Sequence, residues 1–587
     1  MASRYSGSGT DARRRTAVAK VNAENRNHMN SKPLAGNEDV TAKSSAGLNV
    51  FKISDMDYLR RFLITGTTGS YYIHQQAQMS EHISFLQGIA KQNIENGLAA
   101  VDMIVQISQE GRSVKNDSAL FALAVMCDSS WMRVRQKAFA AIPQVARTAT
   151  HLFMFMGFVR ELRGLGRGIR NAINGWYLNR EPTALAYQIA KYRNREGWTH
   201  RDVLRLTRPK VSKMTGEQSA IIDYAVHPDN VESLGNAAAV SPVISAYEEM
   251  KRLPNNKEGK TRGIELIDQF NLPHEVVPND WKKDSAIWEA LITHMKPEAL
   301  MRNLGRMTSL GMFTGVPGVR NREIVRNTFS EENIKRARLH PLKIYIALKM
   351  YRSGSSRGGL SWTADKEVLN ALETAFYASF KYGDLTGADI YIGLDISGSM
   401  QYKCYTPDGR TSGQMWYQTQ YSAQDPSVSC FEAEAIMTRA LAATGNRLHV
   451  GAFCGTLTDV THMFQGAAMN DKIETTVEKL RKLHMGCTNL SLPIKHALTE
   501  PSLQKRAFDA FVIFTDNEVN QHDIHPQKLI MDYRQKVGKA TRFIVVGMVA
   551  NKISIASPHD PFMMDIGGFD ANLPKLVSEF IQDWETK

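Results

Sequence analysis

The sequence predicts two folded parts: a long α-solenoid of HEAT-like helix pairs, then a doubly wound α/β domain with a parallel sheet. Three observations predict it. Apolar residues recur at i, i+3, i+4 and i+7 from about residue 55 to 385. Near residue 388 the pattern changes to short apolar runs separated by helical stretches, the signature of strands alternating with helices. Finally, 587 residues with 43 % apolar and 22 % charged side chains are too many for one ordinary core.

Residues 1–50 come first. They are rich in Ser, Gly, Ala, Asn, Arg and Lys, with hardly any large apolar side chain before Val50. Such a segment buries too little apolar surface to offset its ordering entropy, so a disordered basic tail is expected. The triplet Arg13-Arg14-Arg15 could touch a polyanion or simply be solvated. No apolar h-region opens the chain, so a secretory signal is not expected.

Residues 51–387 form the expected helical domain. Segments 81–107, 118–125, 131–146 and 185–192 carry the helical spacing, and short breaks hold Gly, Pro, Asn or Asp. No strict period is legible, so the repeats are degenerate; the spacing by itself equally allows an irregular helical domain. The most apolar stretch, 151–159, is far too short to span a bilayer.

Residues 388–587 form the α/β domain. Strands are expected at 388–395, 447–454, 508–516 and 541–549. Helices are expected at 431–444, 471–483, 492–498, 527–537 and 573–584. The five Cys are odd in number and contain no CxxC, which argues against a disulfide framework or a structural zinc site and for reduced thiols. With no signal, no span and reduced cysteines, a soluble cytoplasmic protein is expected.

Charge narrows the function. The chain carries a net +13, which points to a polyanionic partner. The basicity is uneven. Residues 1–50 hold 8 Lys and Arg against 4 Asp and Glu, residues 51–387 hold 45 against 33, and residues 388–587 hold 19 against 22. Within 160–210 there are twelve basic residues and four acidic ones. Arg167, Arg170, Lys191, Arg193, Arg195, Arg201 and Arg205 are candidate phosphate contacts, since a guanidinium fork binds two oxygens at once. Trp198 lies in the same run and is read as a helix anchor rather than a base-stacking platform.

One constellation carries chemistry. The first strand of the α/β domain ends in Asp395-Ile396-Ser397-Gly398-Ser399, a DxSxS turn that aims a carboxylate and two hydroxyls at one point. Thr488 precedes a helix, and Asp516 ends a third strand. Carboxylate and hydroxyl oxygens with open water positions suit a hard divalent cation, Mg²⁺ above all, with Mn²⁺ as the alternative. A nuclease built on Asp395 and Asp516 is disfavoured, because two-metal nucleases need a dense carboxylate cluster and here Ser and Thr fill the positions. Between Met400 and Cys430 lies a polar insertion with Tyr402, Tyr405, Trp416, Tyr417 and Tyr421, read as a recognition loop or a tolerated surface excursion.

This set resembles the metal-ion-dependent adhesion site of von Willebrand A domains. The resemblance implies Asp395, Ser397, Ser399, Thr488 and Asp516 as ligands, with the last coordination position filled by a partner's carboxylate. Further segments resemble the Ro ribonucleoprotein family and its helical TROVE module. They are 59–72 (LRRFLITGTTGSYY), 150–155 (THLFMF), 166–177 (GRGIRNAINGWY), 192–206 (YRNREGWTHRDVLRL), 288–308 (WEALITHMKPEALMRNLGRMT) and 338–351 (RLHPLKIYIALKMY). In the last domain, 514–518 (FTDNE) and 565–570 (DIGGFD) match as well. The family's usual GGTD reads Gly486-Cys487-Thr488-Asn489, which keeps the Thr but loses one carboxylate.

The resemblance implies a ring of helical repeats closed by the A domain. It implies small noncoding Y-like RNAs on the outer basic surface and single-stranded 3′ ends of misfolded RNAs in the central hole. It further implies a role in RNA quality control alongside an exonuclease or other RNA-processing protein, and no enzymatic activity. His200, in the GWTH segment that resembles the family's RNA face, is expected to contact RNA. A closed ring needs no second copy, so a monomer is expected. A metal-dependent protein-docking scaffold is the alternative from another class.

Overall fold

The computed structural model describes residues 37–65, 75–356, 358–380, 387–401, 403–405, 427–483, 486–520 and 524–582. Most of the expected tail, the end of the 59–72 segment and nearly all of the aromatic insertion lie outside them. The described residues fall into two compact units. One contains residues 37–75 with the α/β domain, and the other spans 76–380.

The α/β unit is built on a six-stranded sheet. Five strands run parallel: β3 (Asp389–Asp395), β6 (Arg447–Phe453), β8 (Ala510–Thr515), β9 (Arg542–Gly547) and β11 (Met563–Gly567). β7 (Leu457–Asp459) adds an antiparallel edge, giving the order β11-β9-β8-β3-β6-β7. β8 and β9 are buried throughout, and β3 and β6 are buried beyond their first residue. A parallel sheet is covered on both faces, which is why its strands read as continuous apolar runs. Helices Cys430–Ala442, Ile473–Arg481, Leu492–Thr499, Pro526–Val537 and Leu573–Gln582 fall close to the expected stretches. From β3 the chain first moves to β6 on one side and then to β8 on the other. The carboxyl end of β3 is therefore a topological switch point, where a crevice opens.

The unit begins earlier than its apolar runs suggest. β1 (Thr41–Lys43) and β2 (Asn49–Lys52) pair antiparallel, and β10 (Ile553–Ser554) joins β2. Leu48 and Val50 enter the same apolar core as Tyr391, Phe511 and Val545. Residues 37–50 are thus folded rather than tail. A three-residue strand flanked by Asn, Ser and Gly has little apolar content of its own, and borrows order from the edge it pairs with. β4 (Lys403–Tyr405) and β5 (Val428–Ser429) form a separate two-stranded ladder.

Helix Asp55–Thr65 belongs to this unit too, not to the helical domain, because it packs on β11. Its Arg61 is 1 % exposed. Arg61 Nε donates to Asp565 Oδ2 at 2.8 Å, and Nη1 donates to the Asn551 side chain and the Ile553 carbonyl. Gly547 and Gly567 make room: a Cβ there would sit 2.9 Å from the guanidinium and 2.7 Å from the Arg61 backbone.

Among the described residues of the 76–380 unit the regular elements are helices, joined by turns, short 3₁₀ segments and two isolated bridges. Most helices pack chiefly on neighbours one or two places along the chain, and others on neighbours three or four places along. Ile94–Glu110 lies on Met132–Val145, Asp117–Met126 on Ala149–Leu162, and Gly216–Val226 on Val231–Val240. Local packing of this kind stacks helix on helix around a continuous apolar interior. No helix among the described residues is long and apolar enough to cross a membrane.

Candidate metal centre and nucleic-acid interface

The metal centre lies at the switch point. β3 delivers Asp395, fully buried, and the chain turns sharply as Ile396 N–H donates to the Phe453 carbonyl at 2.8 Å. Ser397 N–H donates to Asp395 Oδ1 at 3.0 Å, closing an Asx-type turn. That turn sets the Ser397 and Ser399 hydroxyls 3.2 Å apart. On one side, Asn489 N–H donates to the Cys454 carbonyl at 3.0 Å, and Thr488 N–H donates to Asn520 Oδ1 at 2.7 Å, which tethers the Thr488 loop beyond the end of β6. On the other, Asp516 follows β8, takes a hydrogen bond from Ser399, and accepts from Glu518 N–H at 3.0 Å.

Four of the five expected ligands are linked directly or through one hydroxyl, and Thr488 is buried in the adjoining loop. Burial pushes the Asp395 carboxyl up to about 6. Burial, and then the Asp395 charge, push Asp516 up to about 7. Among the described residues no cation bears on either carboxylate. Two buried, mutually repelling carboxylates beside three hydroxyls are the donor chemistry of a hard divalent cation, so the residues fit Mg²⁺ or Mn²⁺. Among the described residues no three His, Cys, Asp or Glu side chains gather around one point, so hydroxyls and water must complete any inner shell.

Sequence reasoning missed three neighbours. Thr515 Oγ1 donates to Asp395 Oδ2 at 2.8 Å. Asn517, fully buried at φ 62°, holds a left-handed turn that Asn tolerates better than most residues. Glu434, on helix Cys430–Ala442, is fully buried with both carboxyl oxygens lacking a hydrogen-bond partner. No signal in the sequence pointed to the last: only the structure shows that helix Cys430–Ala442 is buried nearly all round.

The basic run of the helical unit divides in two. Thr199 and Asp202 form a reciprocal cap that starts helix His200–Thr207. Arg201 and Arg205, one turn apart, lie exposed on its outer face. Arg195 is exposed on a tight turn, where it pairs with Trp198 through backbone hydrogen bonds across Glu196 and Gly197, both at positive φ. Arg167 is exposed at the start of helix Arg167–Leu178 and Arg170 is half-buried. Trp198 is half-buried under the Arg160 guanidinium.

Three expectations change here. His200 is 3 % exposed, its Nδ1 lies 3.0 Å from the Tyr177 hydroxyl, and its ring packs edge-on against Phe153. It is a satisfied core histidine, held neutral by burial with its pKa pushed down to about 4. The cause is helical phase: as the first residue after the cap, His200 shares the inner face with Val203, Leu204 and Thr207, while Arg201 and Arg205 share the outer one. Lys191 is half-buried against Glu275 at 3.6 Å. Arg193, though exposed, hydrogen-bonds the Tyr247 hydroxyl and lies 4.0 Å from Glu248. Both have protein partners that compete with phosphate.

A helical module beside a von Willebrand A domain whose switch point carries a DxSxS centre defines the class of TROVE and A-domain proteins. The TROVE domain model matches residues 42–272 and 271–353, and the Ro60 vWA domain model matches residues 390–581. The chain belongs to the Ro60 family of RNA-binding proteins. It is 29 % identical to the RNA-binding protein RO60 of Caenorhabditis elegans, over 93 % of this chain and 90 % of that one. It is 28 % identical to RO60 of Deinococcus radiodurans, over 92 % and 94 %. The crystal structure of the Deinococcus radiodurans RO (RSR) protein superposes with a TM-score of 0.63 at 26 % identity, over 90 % of this chain and all of that one.

Proposed function

We propose that the protein binds small noncoding, Y-like RNAs through the exposed arginines of its helical unit, takes single-stranded 3′ ends of misfolded RNAs, and acts in RNA quality control without cleaving its ligand. One observation carries this reading: Arg195, Arg201 and Arg205 stand exposed together on one turn and the helix that follows it. Guanidinium groups held in solvent beside a folded base are suited to a phosphate backbone. The proposal includes a cytoplasmic location, a monomer, and an exonuclease or similar processing protein as partner.

The A domain supports a second role. Its pair of buried carboxylates, on which no cation bears among the described residues, suits a bound Mg²⁺ or Mn²⁺, which would hold an open position for an acidic side chain of a protein partner. Asp395, Ser397, Ser399, Thr488 and Asp516 would hold the ion, and docking rather than hydrolysis is its use.

Titrating the purified protein with a stem–loop RNA bearing a single-stranded 3′ tail tests the main reading, at two salt concentrations, with and without EDTA. Strongly salt-dependent, EDTA-insensitive binding of intact RNA is expected. No binding would shift the function to protein docking, and metal-dependent loss of the RNA would identify a nuclease.

A further inference from the structure

Glu434 has no role in any of this, and its placement demands one. The side chain is fully buried, and neither carboxyl oxygen has a hydrogen-bond partner. Helix Cys430–Ala442 packs against β3 and against the Gly398–Gln401 turn, the same two elements that present Asp395 and Ser399. The Asp395 and Asp516 charges repel the Glu434 carboxylate, the Asp395 backbone N–H favours it, and among the described residues no cation bears on it. One turn further along the same helix, the Thr438 hydroxyl is also buried without a partner. An acid in this position costs stability that an Ala or Leu would not, unless a partner arrives.

We infer that Glu434 is an outer carboxylate of the metal centre, accepting hydrogen bonds from water on a bound divalent cation. The inference rests on the metal-centre reading above. Among the described residues no three His, Cys, Asp or Glu side chains gather around one point, so the proposed position of Glu434 is one water out from the ion rather than in its inner shell. Mg²⁺ and Mn²⁺ held by few carboxylates keep several of their waters, and each water needs acceptors for its protons. Glu434 supplies acceptor lone pairs on the helix side of the site; the Asp395 backbone N–H lies near enough to favour its charged form, yet neither oxygen makes a well-formed hydrogen bond among the described residues. It is a positioning residue: it orients water on the ion.

The test is Mn²⁺ binding by the full-length chain, read as loss of the free-ion electron paramagnetic resonance signal, for wild type, Glu434→Gln and Asp395→Asn. Metal-free and Mn²⁺-loaded Tm are recorded for each. Wild type should bind one ion, Asp395→Asn none, and Glu434→Gln one ion about 10–100-fold more weakly. The metal-free Tm of Glu434→Gln should equal or exceed that of wild type, while its gain on adding Mn²⁺ should shrink. Glu434→Gln binding within twofold of wild type would overturn the inference and leave the metal centre standing. A metal-free Tm well below wild type would also overturn it, by showing that the carboxyl supports the fold. Wild type failing to bind Mn²⁺ would remove the metal centre, and this inference with it.

Discussion

Thr515 Oγ1 donates a 2.8 Å hydrogen bond to Oδ2 of Asp395, across two adjacent parallel strands. With Ser397, whose N–H donates to Oδ1 and whose hydroxyl also bonds the carboxylate, it holds both oxygens of Asp395 in place. Thr515→Val keeps the shape and removes the donor. A loss of about 1–3 kcal/mol is expected, since a buried acceptor is left unpaired. Urea unfolding in EDTA measures it, and an unchanged midpoint would show that Asp395 does not depend on this contact.

The raised carboxyls make metal-free stability depend on pH. Asp395 at about 6 and Asp516 at about 7 both lie above the unfolded value near 4. The folded state therefore binds more protons across that window, and this contribution to stability, full below pH 4, is lost as pH rises through 6 and 7. The protonated form is mimicked by Asp516→Asn. In EDTA that variant should be more stable than wild type at pH 8, by roughly 1–4 kcal/mol, and lose the advantage progressively as pH falls to 4. An advantage independent of pH would contradict the assignment.

His200 works in the opposite direction. Its folded pKa near 4 lies below the unfolded 6.5, so its stabilisation is present above 6.5 and lost as pH falls toward 4. His200→Ala should cost about 2–4 kcal/mol through the cavity and the lost Tyr177 contact. RNA affinity per folded molecule should stay within twofold. A large drop in affinity with an unchanged Tm would restore His200 to the RNA face.

Arg61 and Asp565 are a buried pair, 1 % and 12 % exposed at their side chains. Arg61→Met should destabilise the protein by about 3–5 kcal/mol, because Asp565 is left buried and unpaired. Limited proteolysis should then cut near residues 37–65 first, since these strands and this helix hold to the α/β unit through that pair and the small β1-β2-β10 sheet. Protection equal to wild type would show that the apolar contacts suffice.

Much of this was legible in the sequence. The four apolar runs became β3, β6, β8 and β9 because buried parallel strands must be apolar on both faces. β11 (MMDIG) was not legible, since its five residues include the Asp that pairs with Arg61. The ends of β3 and β8 and the loop before helix Leu492–Thr499 fell where the DxSxS, Asp and Thr motifs placed them. Glu434 was hidden, because a carboxylate in a helix reads as a solvated face until its neighbours in space are known. His200 was misjudged for a related reason: the capping box after Trp198 sets a phase that puts it inside, and charge density along the chain carries no phase.

The most direct test of the account is the salt dependence of RNA affinity for wild type and for Arg195→Ala/Arg201→Ala/Arg205→Ala, with a stem–loop RNA in EDTA. The account predicts weaker binding, a log–log salt slope smaller by about 2–3, and an unchanged Tm for the triple variant. An unchanged slope and affinity would contradict it, and would move the RNA surface off this helix.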